Sequence, residues 1–164
     1  MAFPFSLPEN AKIVAAVPTC ADTSNALTTL RSISMRYYHK AWLVLGFHQV
    51  VGHTTTVTPM VGATVATANA AITFTARNWL CVDVATSDAL VEQAAATTAD
   101  CDVATTDQVI VFEIDVSDML AQGATFDCLG GTVQASAQVN NDVGGFWILA
   151  PRYAQATPPS AIVD

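Results

Sequence analysis

The sequence predicts an all-β protein, an antiparallel β-sandwich or jelly roll with extended N- and C-terminal arms. Three observations carry that reading. The segment QVIVFEIDV alternates apolar and acidic residues, with Ile110, Phe112, Ile114 and Val116 on one face and Glu113 and Asp115 on the other, the period of a half-buried strand. About eight short runs rich in β-branched and aromatic residues are separated by Gly, Asn and Asp signals such as Gly52, Gly130-Gly131 and NNDVGG. Convincing helical periodicity is almost absent, which favours packed antiparallel sheets over a mixed fold.

Taken in order, residues 1–10 (MAFPFSLPEN) are rich in proline and phenylalanine and read as an extended arm. One β domain is expected over 11–153, and the ending QATPPSAIVD makes 154–164 a tail. Phe3, Phe5, Leu7, Ile162 and Val163 find little local core in these arms, so both ends are suited to lie along a neighbouring molecule. Within the domain, AKIVAAV opens the strands. SISMRYY and AWLVLGF read as a hairpin joined around His39 and Lys40, in which Ile33, Met35 and Tyr37 alternate with Ser34 and Arg36. TTTVTPM follows, with Pro59 assigning it to an edge. AITFTAR, the segment from Trp79 to Val84, GGTVQASAQV and GFWILA complete the strand set. SDMLAQG reads as a helical turn capped by Ser117 and stopped by Gly123. ATSDALVEQAAATT has Ala and Glu that favour helix and a Thr-rich end that favours strand, and is read as strand or loop. No repeat of 20–50 residues is visible.

Composition narrows the class. The chain has 164 residues, enough for one domain with one core. Hydrophobic residues make up 52% of it and charged ones 12%, against roughly 25% in an average soluble protein, so part of the surface is suited to contact with other protein. No run approaches the ~20 apolar residues of a membrane span. The first twenty residues lack a basic region ahead of an apolar one, and neither a secretory signal nor a lipid anchor at Cys20 is indicated, so synthesis and folding in a cytoplasm are expected.

The net charge of −8 is unevenly spread. Residues 1–77 hold five cations (Lys12, Arg31, Arg36, Lys40, Arg77) against Glu9 and Asp22, whereas residues 78–151 hold eleven carboxylates and no Lys or Arg. The acidic run would repel a phosphate backbone, which disfavours nucleic acid as a partner. The basic third fits an acidic partner or the acidic part of another copy; a single mixed surface is the alternative.

The chemistry-bearing residues form no recognised constellation. His39, His48 and His53 are the metal and acid–base candidates, but His48 and His53 fall on opposite faces of a continuous strand, and no carboxylate lies near them in sequence. No metal site is therefore assigned. Glu113 and Asp115 share a strand face, as paired carboxylates of a glycosidase do, yet they are more simply its solvent side. Asp100, Asp102, Asp115 and Asp118 have calcium-like spacings without the glycine-containing loop, and suit turn capping instead. Phosphate-loop, dinucleotide and serine-elbow signatures are missing, so no catalytic residue, no cofactor and no enzymatic activity are assigned. Cys20, Cys81, Cys101 and Cys128 contain no CxxC pair. Buried thiols are the default; in an oxidising exterior, Cys81 and Cys101 are suited to closing a loop that contributes on the order of 3 kcal/mol.

The segment ISMRYYHKAWLVL, the strand VIVFEIDVSDML and the ending ILAPRYAQATPPSAIVD together resemble a family of small tailed-bacteriophage virion proteins over most of residues 30–155. The resemblance implies a β-rich capsid decoration, or cement, protein on the outer head surface, made in the host cytoplasm. Such a protein holds major capsid subunits together and self-associates, often as a trimer. It implies partner contacts by Arg31, Arg36 and Lys40 and by the arm carrying Phe3, Phe5 and Leu7. The four cysteines and the acidic second half depart from the family pattern. A tail, collar or head-fibre component is the alternative, followed by a carbohydrate- or receptor-binding module using Tyr37, Trp79 and Trp147.

Overall fold

The fold is organised around one long strand, β4 (Tyr38–His48), in which alternate residues Ala41, Leu43, Leu45 and Phe47 are buried. The computed structural model describes residues 6–22, 27–50, 54–68, 72–101, 106–134, 141–153 and 157–163. In it β4 pairs along its length with β12 (Asp142–Pro151) on one side and β10 (Gln108–Asp115) on the other, both antiparallel. Outside these lie β1 (Lys12–Asp22), next to β12, and β7 (Ala76–Cys81) followed by β8 (Val91–Ala96), next to β10. This is the larger sheet, in the order β1-β12-β4-β10-β7-β8.

The second sheet is built on β11 (Cys128–Val133) and β5 (Thr55–Gly62). The short strands β2 (Thr28–Thr29) and β3 (Ile33–Ser34) pair with β11, and β6 (Ile72–Thr73) and β9 (Ala99–Cys101) pair with β5. Ile33, Val57, Val61, Leu129 and Val133 from this sheet meet Leu43, Leu45, Ile110, Phe112, Ile114 and Trp147 from the larger one, all of them buried. Two antiparallel sheets packed face to face make the all-β sandwich that the alternation predicts. Trp147 is fully buried, and its indole Nε1 donates to the Arg31 carbonyl at 2.8 Å, so the ring enters the core without an orphaned donor.

Several local expectations are corrected. SISMRYY and AWLVLGF do not form a hairpin: Ile33–Ser34 lies in the smaller sheet, and the chain turns at Met35–Tyr38, closed by Tyr38 N–H donating to the Met35 carbonyl at 2.9 Å. Burial of Met35 and Tyr38 drives this crossing between sheets, and it leaves Tyr37 at the surface and His39 and Lys40 inside β4. AITFTAR likewise divides between β6 in one sheet and β7 in the other. Pro59 lies in an interior strand, but β9 ends opposite Val57 and β6 begins opposite Met60, so the flank at Pro59 is locally unpaired. Helix α2 (Val116–Leu120) is capped at Asp115, whose N–H bonds Asp118 Oδ2 at 3.3 Å, rather than at Ser117.

The ends differ from simple arms. Leu7–Asn10 is a single helical turn, α1, started by Pro8, while Phe3 and Phe5 lie outside the described residues. Residues 157–163 fold back: Ala161 is buried, its carbonyl accepts from Ser34 N–H at 2.6 Å, and the Pro159 carbonyl accepts from the Tyr38 hydroxyl. Ile162 and Val163 remain exposed. No helix among the described residues is long and apolar enough to cross a membrane.

The close approach of β12 to β4 depends on Gly145. A Cβ there would lie 2.1 Å from the Val44 carbonyl oxygen, whereas one at Gly46 would meet only the Gly144 carbonyl at 4.0 Å. Gly145→Ala is therefore expected to lower stability by about 1–3 kcal/mol in chemical denaturation, and Gly46→Ala to leave it nearly unchanged.

Candidate interaction surface

The side of the larger sheet that faces away from the core carries an extended apolar surface. In the middle of β4 and β12 the outward residues Trp42, Val44, Phe146 and Ile148 are apolar, as the inward ones are. Register aligns them in rows across the strands: Ala15, Phe146, Val44, Val111 and Trp79 form one, and Ile13, Ile148, Trp42, Glu113 and Arg77 another. A third row, Gly144, Gly46 and Val109, has almost no side chain in its middle. Ile13 is 42% exposed and Phe146 46%, so no element among the described residues covers this part of the strip. At about 4.8 Å between strands and about 7 Å between rows, the strip spans on the order of 400 Å², the scale of the largest apolar patches on monomers, which are often functional.

Beside it lies an ion-pair cluster centred on Glu113. Its Oε1 accepts from Lys40 Nζ at 3.0 Å and Arg77 Nη1 at 3.2 Å, and its Oε2 from Trp42 Nε1 at 3.1 Å. Arg77 also binds Glu92 at 2.9 Å and lies 4.8 Å from the Trp79 ring centre; Lys40 reaches Asp115 at 3.6 Å. The Lys40 hydrogen bond, aided by that from Trp42, holds the Glu113 carboxyl below the usual glutamate range, and the same bond to Glu113 raises Lys40. A carboxylate with both oxygens committed to three donors is an anchor for the sheet surface, not a poised acid or base.

The sequence candidates do not converge on one point. Lys40 belongs to this cluster, Arg36 is exposed in the turn before β4 with its guanidinium 5.7 Å from the Tyr37 ring, and Arg31 is exposed beside β1, its N–H donating to the Ala16 carbonyl at 2.7 Å. Leu7 is partly exposed on α1. Cys81 and Cys101 are buried on different sheets; Cys101 Sγ donates to Gln108 Oε1 at 3.0 Å, and Cys81 Sγ to the Ser87 carbonyl at 3.4 Å. Of the three aromatic candidates for sugar stacking, Trp147 is core, Trp79 is covered by Arg77, and Tyr37 is exposed.

His48 gains a carboxylate that its sequence neighbourhood lacks, with Nδ1 2.7 Å from Oδ1 of Asp107, the residue before β10, while His39 Nδ1 lies 3.1 Å from the Pro151 carbonyl. His53 and Asp102 lie outside the described residues. Asp100 accepts from the Thr56 hydroxyl at 2.6 Å. Among the described residues no group of three or more His, Cys, Asp or Glu side chains is arranged to hold a metal.

No protein-family model and no curated protein matches the chain. Among solved structures, it is similar to the SPBc2 prophage-derived protein YomS, with 9% identity and a TM-score of 0.47 over 90% of this chain and 98% of that one. The Tobacco streak virus coat protein follows at 12% identity and a TM-score of 0.36 over 95% and 96%, and a structure entitled "CBM4 structure and function" at 9% and 0.32 over 88% of both chains. Superpositions this loose assign neither a shared fold nor a shared role.

The depressed Glu113 value fixes the sign of a pH effect. Its ionised form is bound more strongly when folded, so its contribution is complete above the ordinary glutamate value and is lost as pH falls through the lower folded one. Glu113→Gln is expected to cost about 1–2 kcal/mol near neutral pH. In denaturation curves the gap from the parent should close in acid, once both chains carry a neutral side chain there.

Proposed function

We propose that this chain is a virion structural protein, a capsid decoration or cement protein that sits on the outer head surface and stabilises contacts between major capsid subunits. The observation that carries the reading is the uncovered apolar strip on the larger sheet. A rigid sandwich that leaves Ile13 and Phe146 in water has a ready-made contact surface for another protein. Sheet packing and ion pairing account for Glu113, Lys40 and Arg77, which leaves the strip as the surface the fold itself does not explain. The resemblance of the ISMRYYHKAWLVL, VIVFEIDVSDML and ILAPRYAQATPPSAIVD segments to small tailed-phage virion proteins supplies the class of partner.

On this reading the protein acts by binding rather than turnover. It needs no cofactor, contacts neither nucleic acid nor membrane, and is made in the host cytoplasm before it is added to the shell. Each copy contributes a modest contact, and the effect on the particle comes from repetition over many equivalent positions. Self-association, as a trimer in the family it resembles, adds to that multiplicity.

The test uses heads assembled without this chain. Added protein should bind in fixed proportion to the shell subunits and raise the temperature at which heads rupture, and Ile13→Glu should remove both effects while the isolated domain keeps its melting temperature. Binding of a few copies per particle, or none, would overturn the assignment.

A further inference from the structure

Two features at opposite ends of β4 and β12 match one another. At the His48 end of β4, the outward face is hollowed into an open groove of about 500 Å³. Its floor is Gly46 and Gly144, its sides are Val44, Val84, Val109 and Phe146, and the Asp107 and Asp142 carboxylates stand on its rim. Asp107 is shared with His48; Asp142 forms no ion pair among the described residues. At the Tyr38 end, the turn before β4 and the end of β12 are joined by Arg152 N–H donating to the Tyr37 carbonyl at 2.9 Å. That corner presents Tyr37 and Tyr153, 47% and 75% exposed, next to Arg36 and Arg152. Neither arginine forms an ion pair among the described residues.

We propose that the groove of one copy receives the arginine–tyrosine corner of a second copy, head to tail. Charge complementarity selects this occupant. In a chain of net charge −8, most surfaces of a second copy would bring more negative charge to the acidic rim, and this corner brings two cations with two amphipathic rings. Shape agrees: the two glycines leave a gap two strands wide over an apolar floor, a seat for a planar ring whose hydroxyl stays at the wet edge. Tyr and Arg are also the side chains that most often dominate contact energies. Because donor and acceptor surfaces differ, each contact leaves one of each free, so association closes into a ring or continues as a chain. The inference does not rest on the virion reading, since it concerns the isolated chain alone.

Sedimentation of the full chain over a concentration series tests it. The wild type should show a mass that rises above the monomer with concentration. Gly46→Leu fills the groove at a position where a Cβ meets no close neighbour and leaves the corner intact; Tyr37→Ala/Tyr153→Ala removes the corner and leaves the groove. Each variant alone should associate at least about tenfold more weakly, and an equal mixture should recover association that stops at dimers, because only one productive pairing remains. A wild type that stays monomeric, a variant that associates like the wild type, or a mixture that does not associate would each overturn the proposal.

Discussion

Alternation along β4 and β12 sends every second side chain out of the sandwich, and in the middle of these strands the outgoing residues are apolar like the incoming ones. The inward set is covered by the second sheet, through Leu43, Leu45, Trp147 and their partners. Among the described residues no element covers the outward set. Sheets of this kind usually show one wet, polar face, so the departure in Trp42, Val44, Phe146 and Ile148 is the feature on which the functional reading depends. Covering about 400 Å² at about 25 cal/mol per Å² gives on the order of 10 kcal/mol before costs. Those costs are about 4–15 kcal/mol for the lost freedom of association. The strip by itself therefore supports a weak contact, and useful attachment needs repetition, charge matching or both.

The ion-pair cluster limits where such contacts form. Glu113 is satisfied by Lys40, Arg77 and Trp42, so the β10–β7 part of the face presents paired charges that would have to be stripped of water in any interface. Desolvating them offers little net gain. The apolar β1–β12–β4 part carries no such penalty. The two halves of one sheet face thus divide between holding the strands in register and remaining available to another molecule.

Much of the architecture was legible in the sequence because it rests on local rules. Period two in QVIVFEIDV and the sparse helical signal lead directly to β10 and to an antiparallel sandwich. What local rules do not contain is which sheet a strand joins. The Met35–Tyr38 crossing follows from burying Tyr38 rather than Tyr37, a choice made by distant residues such as Pro159. The His48–Asp107 contact, between residues 59 apart, is invisible for the same reason. The outward strip did leave a signal: AWLVLGF and GFWILA are continuous apolar runs, which mark strands with apolar residues on both faces. Attention to cations and arms passes over it, and Ile13, Trp42, Phe146 and Ile148 emerge only once register places them side by side.

The most direct test of the central claim, that this sheet face is a protein-contact surface, is hydroxyl-radical footprinting of the chain free and after its addition to phage heads assembled without it, the particle of the proposed function. The account predicts clear labelling of Ile13 and Ile148 in the free chain and marked protection on the particle, with Leu90 and Val91 at the opposite edge much less affected. Equal labelling of Ile13 and Ile148 in the two states would contradict it.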